Sequence, residues 1–256
     1  MQFTQDFCFC TLAIGSKYRK MVLDLSIDLK TYAPNTAIVV GTDEPKDFNK
    51  TNNIISFKLI QRGIFTCYND KRFVLQKALS QFEQAIYIDA DTRVIKSIPQ
   101  IVKCNSTLVG CNKNVIEHMS RYRPKDIQYM QHLAHKLDIN LDGVKWIGES
   151  LFIVSKDNGK EQEFIDIWGK LARYLELRGM HSGEGNIMGL AAAKVGWKVQ
   201  NTDAWKQLKQ TTQHLDASHQ TSHKTVIAHW QRRLKYHYRL NKARLLTLKD
   251  FDFYYR

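Results

Sequence analysis

Residues 86–93 read Ile-Tyr-Ile-Asp-Ala-Asp-Thr-Arg, an apolar run that stops on two carboxylates separated by one small residue. Side chains two positions apart in a strand point to the same side, so Asp89 and Asp91 can converge on one cation at the strand's carboxyl end. Mg²⁺ and Mn²⁺ bind through one or two carboxylates together with substrate phosphates. The stretch therefore indicates a strand that ends at a metal–diphosphate site. A strand followed by an ordinary acidic turn is the alternative.

Strand and helix patterns alternate on the amino-terminal side of this stretch. Compact apolar runs typical of buried strands occupy residues 7–14, 37–40 and 54–60. Apolar residues recur at helical spacing after Ser16, which is placed to cap that helix, and again over 71–82. This order predicts an α/β fold with a Rossmann-like, mostly parallel sheet and helices on both faces. Ligands of such sheets bind at the carboxyl ends of the strands.

The cysteine pattern and the lengths of the apolar segments bear on the cellular compartment of the protein. The chain has 256 residues and an odd number of cysteines, five, none of them in C-x-x-C spacing. This pattern predicts reduced thiols, with Cys8 and Cys10 in the core, and hence a cytoplasmic protein. No segment reaches the roughly 18 apolar residues that span a bilayer, and the first residues lack signal-peptide features.

Positive charge is concentrated near the carboxyl terminus. The net charge is +13, and no acidic residue occurs between Ala217 and Lys249. The Lys and Arg residues of that stretch are Lys224, Arg232, Arg233, Lys235, Arg239, Lys242, Arg244 and Lys249. Such a block suits a nucleoside diphosphate, an anionic membrane surface or nucleic acid, but no recognition-helix or RNP-type motif supports the last. A solvated basic tail is the alternative.

Two motifs in the first hundred residues resemble those of nucleotide-sugar transferases with the GT-A fold, and among them the glycogenin-like family-8 glycosyltransferases. Residues 11–18, Thr-Leu-Ala-Ile-Gly-Ser-Lys-Tyr, are similar to the family's first strand and turn. The resemblance implies that the backbone around Thr11 and Ala13, with the ring of Tyr18, holds a uracil base. Residues 79–94 are similar to the helix and Asp-x-Asp strand, so that Asp89, Ala90 and Asp91 contact the nucleotide or its metal.

A third motif resembles the carboxyl-terminal element of the same family. Ile227-Ala228-His229-Trp230 is followed by Lys235, six residues after the histidine. The resemblance implies that His229 joins Asp89 and Asp91 on a Mn²⁺ or Mg²⁺ ion and that Lys235 contacts the diphosphate. Arg232 stands where the family usually carries a glycine that allows close approach to phosphate. Lys235 can therefore be displaced, with Arg232 or Arg233 in its place.

Two further residues are candidates for catalysis. Arg72, at the start of the helix before the Asp-x-Asp strand, is expected near the phosphates or donor sugar, and its alternative is a solvated helix-start arginine. Glu184 is expected near the donor sugar or the reacting centre, although a first-turn carboxylate gives the same sequence. Glu149 is a weaker candidate. The family retains anomeric configuration, whereas an inverting enzyme needs a carboxylate base, a part that Glu184 can also play.

No linker or repeat divides the chain, so we expect a single catalytic domain over 1–256. Its parts are a nucleotide-binding half (1–110), an acceptor and donor-sugar half with a polar helical insertion (111–216), and a basic segment (217–256).

The predicted function is metal-dependent transfer of a sugar from a UDP-sugar to a glycan or glycolipid acceptor, with peripheral contact to an anionic membrane. Two alternatives stay open. A haloacid-dehalogenase-type phosphohydrolase also carries Asp-x-Asp after an apolar strand, but there position 93 is normally Thr or Val and here it is Arg. The other alternative is a non-enzymatic polyanion- or membrane-binding protein.

Overall fold

A computed structural model of the protein describes residues 5–98, 106–217 and 226–256. Within these ranges the strands are β1 (Phe7–Ala13), β2 (Ile38–Thr42), β3 (Ile54–Lys58), β4 (Gln84–Ile88), β5 (Thr92–Val94), β6 (Leu108–Asn114), β7 (Lys145–Ser155) and β8 (Thr212–His214). The α-helices are α1 (Ser16–Tyr32), α2 (Lys71–Leu79), α3 (Val115–Tyr122), α4 (Ile127–Leu137), α5 (Lys160–Glu176), α6 (Glu184–Lys194), α7 (Asp203–Gln210), α8 (Val226–Thr247) and α9 (Phe251–Tyr255). Lys224, which the sequence analysis named in the basic stretch, and Cys104, one of the five cysteines, lie outside the described residues.

The main sheet has six strands in the order β3-β2-β1-β4-β7-β6. Strands β1 to β4 pair in parallel, and β7 runs antiparallel to both β4 and β6. Strands β5 and β8 form a separate antiparallel pair beside it. The sequence prediction of a mostly parallel α/β sheet flanked by helices is confirmed, because strands covered on both faces read as continuous apolar runs.

The core is divided between the two faces of the sheet, as the alternation of side chains along β1 shows. Cys8 and Cys10 point into a large cluster that includes apolar residues of α2, α5 and α6. Phe7 and Phe9 point into a second cluster with apolar residues of α1. Both cysteines are fully buried, which confirms their assignment to the core. Two covered faces fix the strand positions, because a shift by one residue would exchange the two sets.

Two local features bear on the sequence predictions. Ser16 does not cap the first helix: α1 begins at Ser16 itself, after Gly15 in a left-handed conformation with φ 94°. The polar helical insertion expected within 111–216 contains helices α3 and α4, but it begins only at Val115, because residues 112–114 still belong to β6.

No helix in the described ranges is long and apolar enough to cross a membrane.

The contact between α6 and β7 gives a test of the packing that positions the site. A Cβ added at Gly189 would overlap the carbonyl oxygen of Lys145. Gly189→Ala gains about 1 kcal/mol in helix propensity, but we expect the overlap to cost about 3 kcal/mol and to lower the free energy of unfolding. The measurement is urea unfolding. Gly143→Ala, where the added Cβ meets open space, is the control and should change stability by less than about 0.5 kcal/mol.

Candidate active site

A cleft of about 670 Å³ opens at the carboxyl end of the parallel strands. Its wall includes Leu12 near the end of β1, Ile14 just after that strand, Tyr18 on α1, and residues 89–92 after β4. Carboxylates, two lysines, an arginine, aromatic rings and two histidines line this one cavity. The cleft is large enough for a small ligand of the kind that α/β sheets bind at this edge.

Asp89 and Asp91 meet in a turn rather than along a strand. Strand β4 ends at Ile88, and the backbone N–H of Thr92 donates to the carbonyl of Asp89 over 3.0 Å, which closes the turn. Asp91 is buried, and its Oδ2 accepts a hydrogen bond of 2.8 Å from the backbone N–H of Ala217. The two carboxylates converge as predicted, but the turn and not the strand alternation brings them together.

A histidine that the sequence analysis did not select completes a group of metal-binding side chains. His214 ends β8, whose pairing with β5 places it opposite Thr92. Its Nδ1 lies 3.6 Å from Oδ1 of Asp91. Ligand atoms of Asp89, Asp91 and His214 all lie within 4.8 Å of one another. Two carboxylates and an imidazole are a donor set that suits Mn²⁺ or a similar divalent ion.

His229 and Lys235, the other residues that the resemblance assigned to metal and diphosphate, lie elsewhere. Both are exposed on α8, and neither lines the cleft. Among the described residues, His229 does not belong to the group of metal-binding side chains around Asp89. Arg232 lies over the ring of Phe65, with 4.6 Å from its guanidinium carbon to the ring centre. The structure therefore brings His214, and not His229, to the aspartate pair.

A buried cation, Lys71, lies in the cleft next to the aspartates, and it is the residue before Arg72. Its ammonium is buried and lies 3.0 Å from Oδ1 of Asp89 and 3.0 Å from Oε1 of Glu184. It also donates a 3.0 Å hydrogen bond to the carbonyl of Glu149. Burial opposes its charge, but Asp89, Tyr87 and Glu184 together raise the pKa of Lys71 well above its usual value. Lys71 therefore stays charged in the cleft.

Arg72 points away from the cleft, into the contact between α2 and α5. Its guanidinium packs on the ring of Phe73 at 4.0 Å and against Gly169. Burial lowers the pKa of Arg72 to about 10, while nearby Asp70 favours its charge. The sequence analysis expected the cation at the start of this helix to be Arg72; in the structure the adjacent Lys71 lines the cleft, because the packing of α2 sets which of the two side chains faces it.

Two glutamates form the floor beside Lys71. Glu184 begins α6, after Gly183 in the left-handed region with φ 86°. Glu149 on β7 accepts a hydrogen bond of 2.9 Å from the backbone N–H of Gly185. Burial and the neighbouring Glu184 raise the pKa of Glu149 to about 8. At neutral pH Glu149 is therefore protonated and can donate to Glu184, which is free to pair with Lys71.

The residues predicted to contact the nucleotide come from three elements: Thr11 and Ala13 lie on β1, Tyr18 lies on α1, and Ala90 follows β4. Tyr18 and Ala90 line the cleft. Thr11 and Ala13 are fully buried beneath it, and Oγ1 of Thr11 has no hydrogen-bond partner among the described residues. The side chains that alternate with them, Leu12 and Ile14, face the cavity. Any contact of Thr11 and Ala13 with a ligand would thus come from the backbone.

The opposite wall of the cleft is aromatic and basic. The rings of His118 and Trp146 stack at 4.3 Å between centres. Arg123 pairs with Asp126 at 2.9 Å and donates to the hydroxyl of Ser182. Nε1 of Trp146 is buried without a hydrogen-bond partner in the part of the chain that the structure describes. Stacked rings beside polar donors are typical of surfaces that bind sugars or bases.

Comparison with solved structures identifies the fold. The chain matches the galactosyltransferase LgtC in complex with donor and acceptor sugar analogues, with a TM-score of 0.53 and 10% identity, over 91% of this chain and 95% of that one. It also matches the apo structure of the bifunctional glycosyltransferase WbbM, with a TM-score of 0.53 and 12% identity, over 85% of this chain and 47% of that one. This chain therefore spans about half the length of the WbbM structure.

The chain has a GT-A-type fold. No protein-family model and no curated protein sequence matches it. At identities of 10% and 12% the likeness is one of fold, so the chemistry has to be argued from the residues of the cleft.

The raised pKa of Glu149 predicts a dependence of stability on pH. The folded chain keeps Glu149 protonated up to about 8, whereas the unfolded chain ionises it near 4.5. The folded state therefore binds more protons between these values, and its free energy of unfolding falls as the pH rises through this window. Glutamine has no ionisable proton, so Glu149→Gln removes this pH-dependent loss of stability. Its amide can still accept from the N–H of Gly185 and donate to Glu184. The variant should therefore gain stability relative to wild type between about pH 5 and about pH 8.

Urea unfolding at both pH values measures the difference. The control is Glu117→Gln, on the exposed face of α3, which should follow the pH dependence of the wild type. A Glu149→Gln curve parallel to that of the wild type would contradict the assignment.

Proposed function

We propose that this protein is a metal-dependent glycosyltransferase that moves a sugar from a UDP-sugar to a glycan or glycolipid acceptor with retention of configuration. The observation that carries the proposal is the group Asp89, Asp91 and His214, whose ligand atoms lie within 4.8 Å of one another. It lies at the strand edge of a GT-A-type fold and opens into a cleft of about 670 Å³. The free thiols of Cys8 and Cys10 fit a reducing compartment, the cytoplasm.

The donor set fits a divalent ion that is shared with phosphates. Asp89, Asp91 and His214 would hold Mn²⁺ or Mg²⁺, whose positive charge stabilises the diphosphate leaving group. Three protein ligands leave positions for phosphate oxygens. The family resemblance assigns His229 to the metal and Lys235 to the diphosphate, and both roles require α8 to line the cleft. Both residues are exposed on α8, and this favours His214 as the third metal ligand.

Lys71 supplies fixed positive charge on the other side of the aspartate pair. Its ammonium is held by Asp89 and Glu184 at 3.0 Å each. A preorganised cation stabilises negative charge that develops in a transition state without reorganisation of solvent. Glu184, which faces the same cavity, can accept a hydrogen bond from a sugar hydroxyl. We propose that Lys71 and Glu184 orient the donor sugar and that Tyr18 stacks on its base.

The haloacid-dehalogenase alternative is less well supported. A phosphohydrolase of that type needs no recognition of a base or a sugar, but Tyr18 and the aromatic wall of His118 and Trp146 line the same cavity as the aspartates. The fold comparison also favours glycosyltransferases. A phosphohydrolase would release inorganic phosphate from simple phosphomonoesters without a sugar nucleotide.

The direct test is hydrolysis of sugar nucleotides without acceptor, scored by release of nucleoside diphosphate with Mn²⁺ present. We expect release from one UDP-sugar, loss of release with EDTA, and at least about a hundredfold slower release in Asp91→Asn. Asparagine keeps an acceptor for the N–H of Ala217, so the turn is preserved. NMR of the freed sugar reports its first-formed anomer. No release and no binding across a panel of donors would contradict the proposal.

A second test separates the two histidines. His214→Ala should weaken Mn²⁺ binding by more than about tenfold. Removing a residue that merely hydrogen-bonds to a metal ligand already lowers metal affinity by about tenfold, and removing the ligand itself should cost more. Isothermal titration of the metal alone measures the affinity. His229→Ala is the matched control and should bind Mn²⁺ like the wild type. The opposite ranking would restore His229 as the ligand.

A further inference from the structure

The carboxyl-terminal helix α8 exposes an apolar surface that nothing else in the described structure covers. Of the sixteen large hydrophobic side chains that are exposed in the described ranges, nine fall between residues 227 and 255. Five of these lie on α8 three, four, four and seven residues apart: Ile227, Trp230, Leu234, Tyr238 and Leu245. We call these five the outer stripe. At 100° per residue they fall within an arc of about 80° on one side of the helix.

The opposite side of α8 holds the helix on the protein. Ala243 and Thr247 are buried, and Nε of Arg239 donates a 3.0 Å hydrogen bond to the carbonyl of Ile64. The ring of Tyr236 contacts those of Phe65 and His181. The outer stripe therefore lies on the side of α8 that faces away from these contacts. Contiguous exposed apolar surface of this kind marks an interaction site.

Cations border the outer stripe on both edges. By helical position Lys235 and Lys242 lie along one edge, and Arg233 and Arg244 along the other. The guanidinium of Arg233 also lies over the ring of Trp230 at 5.7 Å. Over the whole of α8, Val226–Thr247, the sequence contains no acidic residue. A surface that binds the outer stripe must therefore be apolar opposite the stripe and negatively charged opposite the cations on its two edges.

We propose that the outer stripe docks on the surface of an anionic lipid bilayer, with α8 lying in the plane of the interface. Apolar side chains on one face with Lys and Arg beside them are the composition of helices that bind in this way. A second copy of the chain would bring two sets of cations together at a cost in free energy. Nucleic acid would pair with the cations but leave five apolar side chains in water.

The position of α8 gives this docking a consequence for the reaction, and this step rests on the proposed function. Tyr236 touches His181, and the next residue, Ser182, lines the cleft. A bilayer on the outer stripe would thus be separated from that wall of the cleft by the diameter of α8, about 10 Å. The acceptor would then be a lipid-linked glycan whose sugar projects from the membrane by about that distance, because docking concentrates such an acceptor near the cleft.

Vesicle flotation of the full chain tests the docking without any sugar nucleotide. We expect binding to vesicles that contain about a third phosphatidylglycerol, and at least about tenfold weaker binding to phosphatidylcholine alone, since each Lys or Arg near an anionic surface contributes to affinity. Leu234→Ser should weaken binding by at least about tenfold, because its side chain no longer inserts. Its matched control is Ile60→Ser, since Leu234 and Ile60 are both 68% exposed.

A second pair of variants separates the two components of the interaction. Lys242→Gln with Arg244→Gln should weaken binding to anionic vesicles by about tenfold or more, whereas Lys20→Gln with Lys30→Gln, on exposed positions of α1, removes equal charge and should have little effect. Equal weakening by both pairs, or equal weakening by Leu234→Ser and Ile60→Ser, would overturn the proposal. A lipid-free dimer that Leu234→Ser dissociates would overturn it in favour of a second copy.

The two proposals can fail independently. Leu234→Ser should release nucleoside diphosphate from a soluble donor at the wild-type rate. A protein that floats with vesicles but hydrolyses no donor would refute the transferase and leave the docking. A protein that hydrolyses a donor but never floats would refute the docking and leave the transferase.

Discussion

The buried ammonium of Lys71 is the interaction on which the cleft depends, because it joins four separate parts of the fold. It is carried by α2 and contacts Asp89 after β4, the carbonyl of Glu149 on β7, and Glu184 at the start of α6. A buried charge without partners would cost several kcal/mol, so each of these groups is needed to keep it there. Tyr87 adds to this, since its hydroxyl donates to Asp89 over 3.1 Å. The same contacts that stabilise Lys71 aim the carboxylates into the cavity.

Asp91 organises the part of the cleft around His214, as Lys71 organises the part around Glu184. Its backbone carbonyl accepts from the N–H of Leu215, and its carboxylate accepts from the N–H of Ala217. These bonds hold the chain on either side of Asp216 against the turn after β4, and so they bring His214 to the aspartates. Lys17, at the start of α1, donates a hydrogen bond to the carbonyl of Ala217 and so connects the same segment to α1. Main-chain hydrogen bonds thus bring a histidine that is more than a hundred positions away in the chain next to the two aspartates.

The carboxyl-terminal element has Arg232 at the position where the family that it resembles usually carries a glycine, and the structure at that position is helical. Where the family resemblance expects a chain that approaches phosphate closely, this protein carries Arg232 in the middle of a continuous helix. Arginine is a good helix former, and no glycine or proline interrupts residues 226–247. The segment therefore presents side chains to solvent along its outer stripe while Arg232 rests on Phe65. Arg233 and Lys235 in this helix are exposed, and neither lines the cleft.

The sequence by itself determined the α/β class, the parallel order of the first strands and the convergence of Asp89 and Asp91, because apolar periodicity and adjacency along the chain are local properties. It also placed Tyr18 and Glu184 at the cleft through motifs confined to a few residues. It could not choose between Lys71 and Arg72, since burial of one or the other depends on how α2 packs against α5 and β1. It could not select His214, whose only local signal is a histidine after a short polar stretch. Only the tertiary structure decided which histidine lies beside the aspartates and which way α8 faces, because both follow from contacts between residues far apart in the chain.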